Sequence, residues 1–336
     1  MAAPSEPSAA ALLVRLRGIG RARLPPPPEA AAGEALVPFL SAVLREAAPF
    51  IDSAAPKSEQ PQPGKDESPW KRKGTKTHAD SAAPVEVSER WVETPEADGG
   101  GAVMREMWCC RRSVHEDAAR AGTATWAEFD RAFRTHHAES EKAFTPNVRV
   151  AREAVVWDCA GARVALPSSY SSPSASKEGD TAASAGTTWY GDFRLVLMEM
   201  RHRVGPGLQD RTFPVLQVSC RADGAGEGGG EGSVEDEFFV VSIPVPDFGD
   251  DPRSTLAAEP GALVAAYVSV ERIRRLPGDG KKGDHIEWLM ATSSDAGGVL
   301  PAWIQNIAMP AVIWKDVPLF LSWAAKERGE KGEGAA

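Results

Sequence analysis

Eight segments rich in β-branched and aromatic residues fill most of the chain between Val85 and Thr292, and they decide what it can become. They cover 85–93, 103–115, 148–159, 190–202, 213–221, 237–245, 263–275 and 285–292. The last six follow one another with turn-forming residues between many of them, which favours an antiparallel meander over parallel crossover units. Helical spacing is confined to three places. In 34–51, Leu36, Leu40, Val43, Leu44, Ala47 and Ile51 form one stripe, with Pro38 tolerated in the first turn. In 125–144, Thr125 and Glu128 stand at capping-box spacing, and Trp126, Phe129 and Phe133 line one face. The last, 300–328, carries Trp303, Ile307, Ala311, Trp314, Leu321 and Trp323; Pro310 and Pro318 should kink or split it, with Asp316 placed to cap a second segment. The expected fold class is α+β, a curved antiparallel sheet wrapped around a long C-terminal helix. The space between such a sheet and its helix suits a hydrophobic ligand.

Part of the length has no means of packing. The chain has 336 residues with 27 Pro and 31 Gly, and the stretch 52–84 contains no Val, Ile, Leu, Met or Phe. Such a stretch buries too little to offset chain entropy and reads as a disordered linker or insertion. Its basic cluster, Lys71, Arg72, Lys73 and Lys76 around Trp70, is either a solvated run or a site of transient contact with a membrane surface. The Ser- and Ala-rich stretch 167–186 and the Gly- and Glu-rich stretch 222–233 read as disordered loops inside one domain. The organisation expected is an N-terminal helical part over 1–51, the linker 52–84, one domain over 85–328 and a disordered tail over 329–336. Leu12, Leu13 and Leu16 with Arg15, Arg17, Arg21 and Arg23 read either as an Arg-rich transit peptide or as a short amphipathic element packed on the domain.

Charge narrows the partners. Against 38 basic residues stand 47 acidic ones, net -9, the wrong sign for tracking phosphates, so no nucleic acid is expected as a partner. No apolar run approaches the roughly 20 residues of a spanning helix. Cys109, Cys110, Cys159 and Cys220 lack C-x-x-C spacing, and neither Asn147 nor Asn306 opens a glycosylation sequon, so a reduced, cytoplasmic setting is expected.

Motifs that would carry chemistry are few. The loop 224–229, GAGEGG, has the glycine spacing of a dinucleotide site but is acidic and has no helix after it to receive a pyrophosphate. There is no nucleophile elbow and no P-loop, and His136, His137 and Glu141 lack the two histidines four apart of a zinc helix, so neither cofactor nor metal is expected. In 263–275, Val264, Ala266, Val268, Val270 and Arg272 share one face of a strand, and Tyr267, Ser269 and Glu271 share the other. Arg272 or Glu271 either binds a ligand head group or pairs with Glu199, Arg201 or Arg211. His115 and His202 end apolar strands, as structural residues or as partners for a ligand or proton. Ile286, Trp288 and Met290 share a strand face, and with Trp303 they either line a cavity or fill a solid core. Cys109 and Cys110, adjacent on a strand, point to opposite faces and read as packing residues.

The residues also carry a family resemblance. The run WLMATSSDAGGVLPAWI, 288–304, resembles the junction between the last strand and the C-terminal helix of START lipid-transfer domains, with Asp295 and Gly298 in the turn and Pro301 and Trp303 at the helix start. Arg211, Thr212 and Phe213 resemble their Arg-Asp-Phe strand start, but Thr212 replaces the Asp, so a buried salt bridge that some of those domains use does not carry over. Four further segments, WCCRRSVH (108–115), WAEF (126–129), YVSVERI (267–273) and DVPLF (316–320), resemble a fungal START-related domain of unknown function. The resemblance spans about 85–328 and implies a helix-grip fold with a hydrophobic cavity. It supplies no substrate and no catalytic set; the expected function is non-enzymatic binding, transfer or sensing of a lipid, sterol or other hydrophobic small molecule in that cavity. Candidate pocket residues are Glu199, His202, Arg211, Tyr267, Glu271, Arg272, Trp288, Met290, Trp303 and Ile307. Two alternatives share the fold: an enzyme of polyketide cyclase or aromatase type using a pocket His, Tyr or Arg, and an interaction module whose cavity is filled by side chains.

Overall fold

β-branched and aromatic segments of this kind bury both faces when helices cover them from either side, and the middle of the sheet does so: all eight residues of one central strand, Glu237–Pro244, are buried. The computed structural model describes residues 12–55, 68–95, 103–167, 187–203, 207–223, 236–278, 283–297 and 309–333. The strands there are β1 (Lys71–Lys76), β2 (Val85–Pro95), β3 (Val103–Glu116), β4 (Val148–Trp157), β5 (Val164–Pro167), β6 (Thr187–His202), β7 (Arg211–Asp223), β8 (Glu237–Pro244), β9 (Leu263–Val264), β10 (Ala266–Leu276) and β11 (His285–Asp295). Their order is β1-β2-β3-β11-β10-β8-β7-β6-β4, so the last strand returns beside β3 and joins an N-terminal hairpin set to the meander. The pairing is antiparallel except for the two-residue β9, which lies parallel to β7. With the C-terminal helix packed on one face, this is the α+β helix-grip arrangement expected.

Helix α1 (Val37–Asp52) covers the outer face. Its stripe Leu40, Val43, Leu44, Ala47, Ala48 and Ile51 is buried against Trp108, Leu216, Val218, Val241, Val270 and Leu289. The segment before it packs as a strap. Leu13 and Val14 donate backbone N–H groups to the Glu46 carboxylate, and Ile19 donates to the Pro244 carbonyl. Gly18, at φ 66°, passes so close to Pro244 that a Cβ would sit 2.0 Å from its carbonyl oxygen, so only glycine fits.

The inner, grip face meets α2 (Trp126–Phe129), α3 (His137–Phe144) and α4 (Asp316–Glu333). The capping box at Thr125 and Glu128 is present, but the helix expected over 125–144 is not continuous. Asp130–Thr135 forms a π turn and His136 leaves helical geometry at φ -127°, so α3 restarts at His137 on a new heading. Phe129 and Phe133 then pack with Trp288 and Phe320, ring centroids 4.6–5.6 Å apart, and pin α4 to the sheet. Arg328 holds the far end of α4 by donating to the Glu128 carboxylate at 2.8 Å.

The boundaries differ from expectation in three places. Within 52–84, residues 71–76 form β1 and Trp70 is buried against Phe50. An edge strand is held by its backbone bonds to β2 and needs no apolar side chains of its own. Helix α4 continues past Arg328 to Glu333, which takes in part of the tail expected over 329–336. Pro167, Ala222 and Asp223 belong to β5 and β7, while the remaining residues of the two expected loops and the junction 298–308 lie outside the described residues.

Candidate functional site

Register places a polar band across the grip face. Arg111 on β3 and Glu271 on β10 both pair with Met290 of β11, so the three side chains stand in one row. In the next row Thr292, Ser269, Ser242 and Gln217 pair across β11, β10, β8 and β7. Tyr267 follows two residues from Ser269 on the same face. All of these except Met290 and Tyr267 are buried. Two helices add charge from above: α3 brings His137 and Glu141, and α4 opens with Asp316.

Arg111 is the centre of this band. Its guanidinium stacks on the Trp288 ring at 3.8 Å from the centroid, the close geometry of a cation–π contact. Glu271 and Asp316 approach it at 3.7 and 3.9 Å, near enough to attract and too far to hydrogen bond. Nη2 lies 3.3 Å from the Met290 sulfur, and Nε and Nη1 have no hydrogen-bond partner although the side chain is only 1% exposed. Glu271 Oε2, Gln217 Nε2 and His202 Nε2 are buried without hydrogen-bond partners too, while the Trp288 indole N–H is directed to the Glu271 carboxyl. Native interiors leave few such groups, and each costs about 1–3 kcal/mol.

The space beside the band is partly open. Asp316 keeps 37% of its side-chain surface, and Glu141 keeps 21%. Yet burial is what pushes the Asp316 carboxyl up, to about 6, with Glu141 and Glu271 adding to it and Arg111 opposing. Burial also leads in raising Glu271 and Tyr267, so both tend to keep their protons. Burial works against charge on His137 and Glu141 as well, but their ion pair, 3.1 Å long, wins: the histidine is raised and the glutamate lowered. The other ring nitrogen of His137 lies 3.0 Å from the Phe133 carbonyl, so both of its nitrogens are engaged.

The sequence-derived candidates divide between the two faces. Glu271, Trp288 and Met290 come together around Arg111, and Tyr267 stands on the same face of β10 four residues from Glu271, against Phe213. His202 stands at the end of β6, its ring against Phe213, which packs on Tyr267; burial keeps the imidazole neutral by lowering its pKa. Arg211 donates to the carbonyls of Ala296 and Gln209 and staples the end of β11 to β7. Glu199 and Arg272 lie on the outer face and do not reach the band. Glu199 accepts from Arg152, Ser254 and the backbone N–H groups of Thr255 and Ala257, anchoring the loop after β8. Arg272 pairs with Asp52 of α1 and Glu287 of β11, and not with Glu199, Arg201 or Arg211. Trp303 and Ile307 lie outside the described residues. Cys109 and Cys110 face opposite sides of β3 as expected, and burial pushes both thiols up to about 12. They are packing residues, inert at neutral pH.

Sequence reasoning missed Arg111, Asp316, Gln217 and the pairing of His137 with Glu141. One signal was present. Arg111 and Arg112 are adjacent on one strand, so they point to opposite faces of the sheet and one of them must meet the grip face. Arg112 goes to Glu287 on the outer face, and Arg111 goes to the grip face.

No curated protein is similar enough to this chain to match it. Among solved structures it is similar to human STARD10, with 13% identity, a TM-score of 0.40, and 84% of this chain and 87% of that one covered. It is also similar to the human StarD13 (DLC2) lipid transfer and protein localization domain, with 10% identity, a TM-score of 0.35, and 83% and 95% covered. A family model described as protein of unknown function (DUF3074) matches residues 108–324, from the strand that carries Arg111 to the helix that carries Asp316. With well over half of its length matched, the chain belongs to the DUF3074 family.

Proposed function

We propose that this protein binds a lipid, sterol or other hydrophobic small molecule between the grip face and the C-terminal helix, without chemical conversion. The observation that carries the reading is Arg111, 1% exposed with two guanidinium nitrogens unpartnered, beside interior side chains that keep open surface. A few placed polar groups in an otherwise apolar interior fix the orientation of a guest whose body fills the rest. The apolar part is at hand: Val196, Met198, Met200 and Val215 line the grip face on one side of the band, and the Trp288 cluster closes the other. His137, with both nitrogens occupied, serves as a fixed partner of Glu141 better than as a proton shuttle.

Native mass spectrometry of the protein purified from cells tests this directly. The expected result is a bound small molecule released by organic extraction, with occupancy reduced several-fold by Met290→Trp, which adds bulk at the partly buried position in the Arg111 row. Protein that stays ligand-free after incubation with a total lipid extract overturns the reading.

A further inference from the structure

Charge in the interior band does not balance. Two cations, Arg111 and His137, face three carboxyl groups, Glu141, Glu271 and Asp316. The surrounding described elements supply no further cation. Arg211 is committed to two carbonyls, Arg134 to Asp130 and Asp192, and Lys315 beside Asp316 is exposed. His202 is held neutral by burial. The chain segment 298–308 carries no charged side chain in its sequence. A negative charge in a low-dielectric interior is costly unless a counter-charge meets it, and one proton held on the Glu271 and Asp316 pair offsets the one excess carboxylate.

From this geometry we infer that the cavity takes a hydrophobic molecule with a cationic amine head, which seats beside Glu271 and Asp316 and supplies the missing positive charge. The inference rests on the proposed binding reading and specifies its ligand class. An anionic head on Arg111 would place a fourth negative group among the three carboxyls. The free Nε–H and Nη1–H of Arg111 and the free amide N–H of Gln217 therefore suit neutral oxygen acceptors on the same guest. Glu271 Oε2 is unpartnered and accepts from the ammonium. As the ammonium arrives, the proton held on the carboxyl pair leaves, so one positive charge replaces another and binding releases a proton.

Three probes with the same twelve-carbon chain separate head from tail: dodecylamine, dodecanol and dodecanoate, titrated calorimetrically into the full chain near neutral pH. Dodecylamine is expected to bind about tenfold or more tighter than dodecanol, and dodecanoate more weakly than either. Its binding heat should vary with the ionisation heat of the buffer, as proton release requires. In Glu271→Gln with Asp316→Asn, the amine should fall to the level of the alcohol, while dodecanol changes by no more than about twofold. If dodecanol or dodecanoate binds as tightly as the amine, the charge inference fails and the hydrophobic-guest reading stands. If none of the three binds, both fail. The comparison of head groups uses the unmodified chain and does not depend on the variant folding.

Discussion

Arg272 and Arg111 stand on strands β10 and β3, one strand apart, and both are almost wholly buried, yet they are held in opposite ways. Arg272 enters the outer face under α1. There it meets Asp52, the Ala55 carbonyl and Glu287, which Arg274 and Arg112 also hold, and only its Nε lacks a partner. Arg111 enters the grip face, where its two carboxylates stop at 3.7 and 3.9 Å and two nitrogens go unmet. A buried charge is therefore not by itself the mark of a site. What separates the two is whether the fold supplies the partners, and on the grip face it leaves that to something else.

The largest effect belongs to the closed network. Arg272→Met takes the guanidinium from Asp52 and one of three arginines from Glu287, breaking a buried network, and the expected loss is about 3–5 kcal/mol in urea unfolding. A loss below about 1 kcal/mol would erase the contrast between the faces.

His115 gives the next largest effect and probes the grip face through pH. Its Nε2 lies 2.8 Å from the Ser113 hydroxyl and its Nδ1 has no partner, while burial, with the charge of Arg111, lowers its pKa from 6.5 to about 4. A depressed base contributes stability that is present above 6.5 and lost as pH falls through 4, because the unfolded chain takes up the proton first. Relative to His115→Gln, the folded protein should lose up to about 3 kcal/mol across that window. A difference that stays flat with pH would show that the ring accepts a proton in place.

Arg111→Met comes third. Glu271 and Asp316 already tend to hold protons, so removing the cation leaves two carboxyls that neutralise, and the expected cost is about 1 kcal/mol or less, measured as for Arg272→Met. Retention of a copurified guest should fall far more than stability does. Equal losses for the two arginines would make Arg111 another structural charge.

The fold was largely legible because the strands depend on local pattern: runs such as 237–245 and 263–275 are rich in β-branched and aromatic residues, and the structure places strands there. β1 was not, since KRKGTK has no apolar face and is held by hydrogen bonds to β2, which no composition reports. The site was half legible. Alternation put Tyr267, Ser269 and Glu271 on one face of β10 and Arg272 on the other, as found. What alternation cannot tell is which face the C-terminal helix covers when both are buried, so Arg272 and Glu199 ranked beside Glu271 as candidates. Asp316 read only as a helix cap because its partner, Arg111, is distant in sequence. The π turn at Asp130–Thr135, which sets the heading of His137 and Glu141, has no pattern that a 3.6-residue period reveals.

The smallest effect sharpens the comparison from the α4 side. Asp316 sits between Arg111 and two other carboxyls, Glu141 and Glu271, and burial raises it from 3.8 to about 6. A raised acid contributes stability that is fully present below 3.8 and is lost as pH rises through 6, since the unfolded chain gives up its proton first. Asp316→Asn cannot ionise, so its stability relative to the unmodified protein should climb between pH 4 and 6 and level off above that; the unmodified protein thus loses ground to this variant as pH rises, whereas it gains ground on His115→Gln. Over a third of the Asp316 side chain is open, and solvent screening weakens the effect of its charge, so the climb should be shallow. A saturating cationic amine should abolish it by taking the proton's place between Asp316 and Glu271. If the climb persists unchanged with the amine bound, Asp316 is not where the head group sits, and the ammonium must be assigned to Glu271 alone.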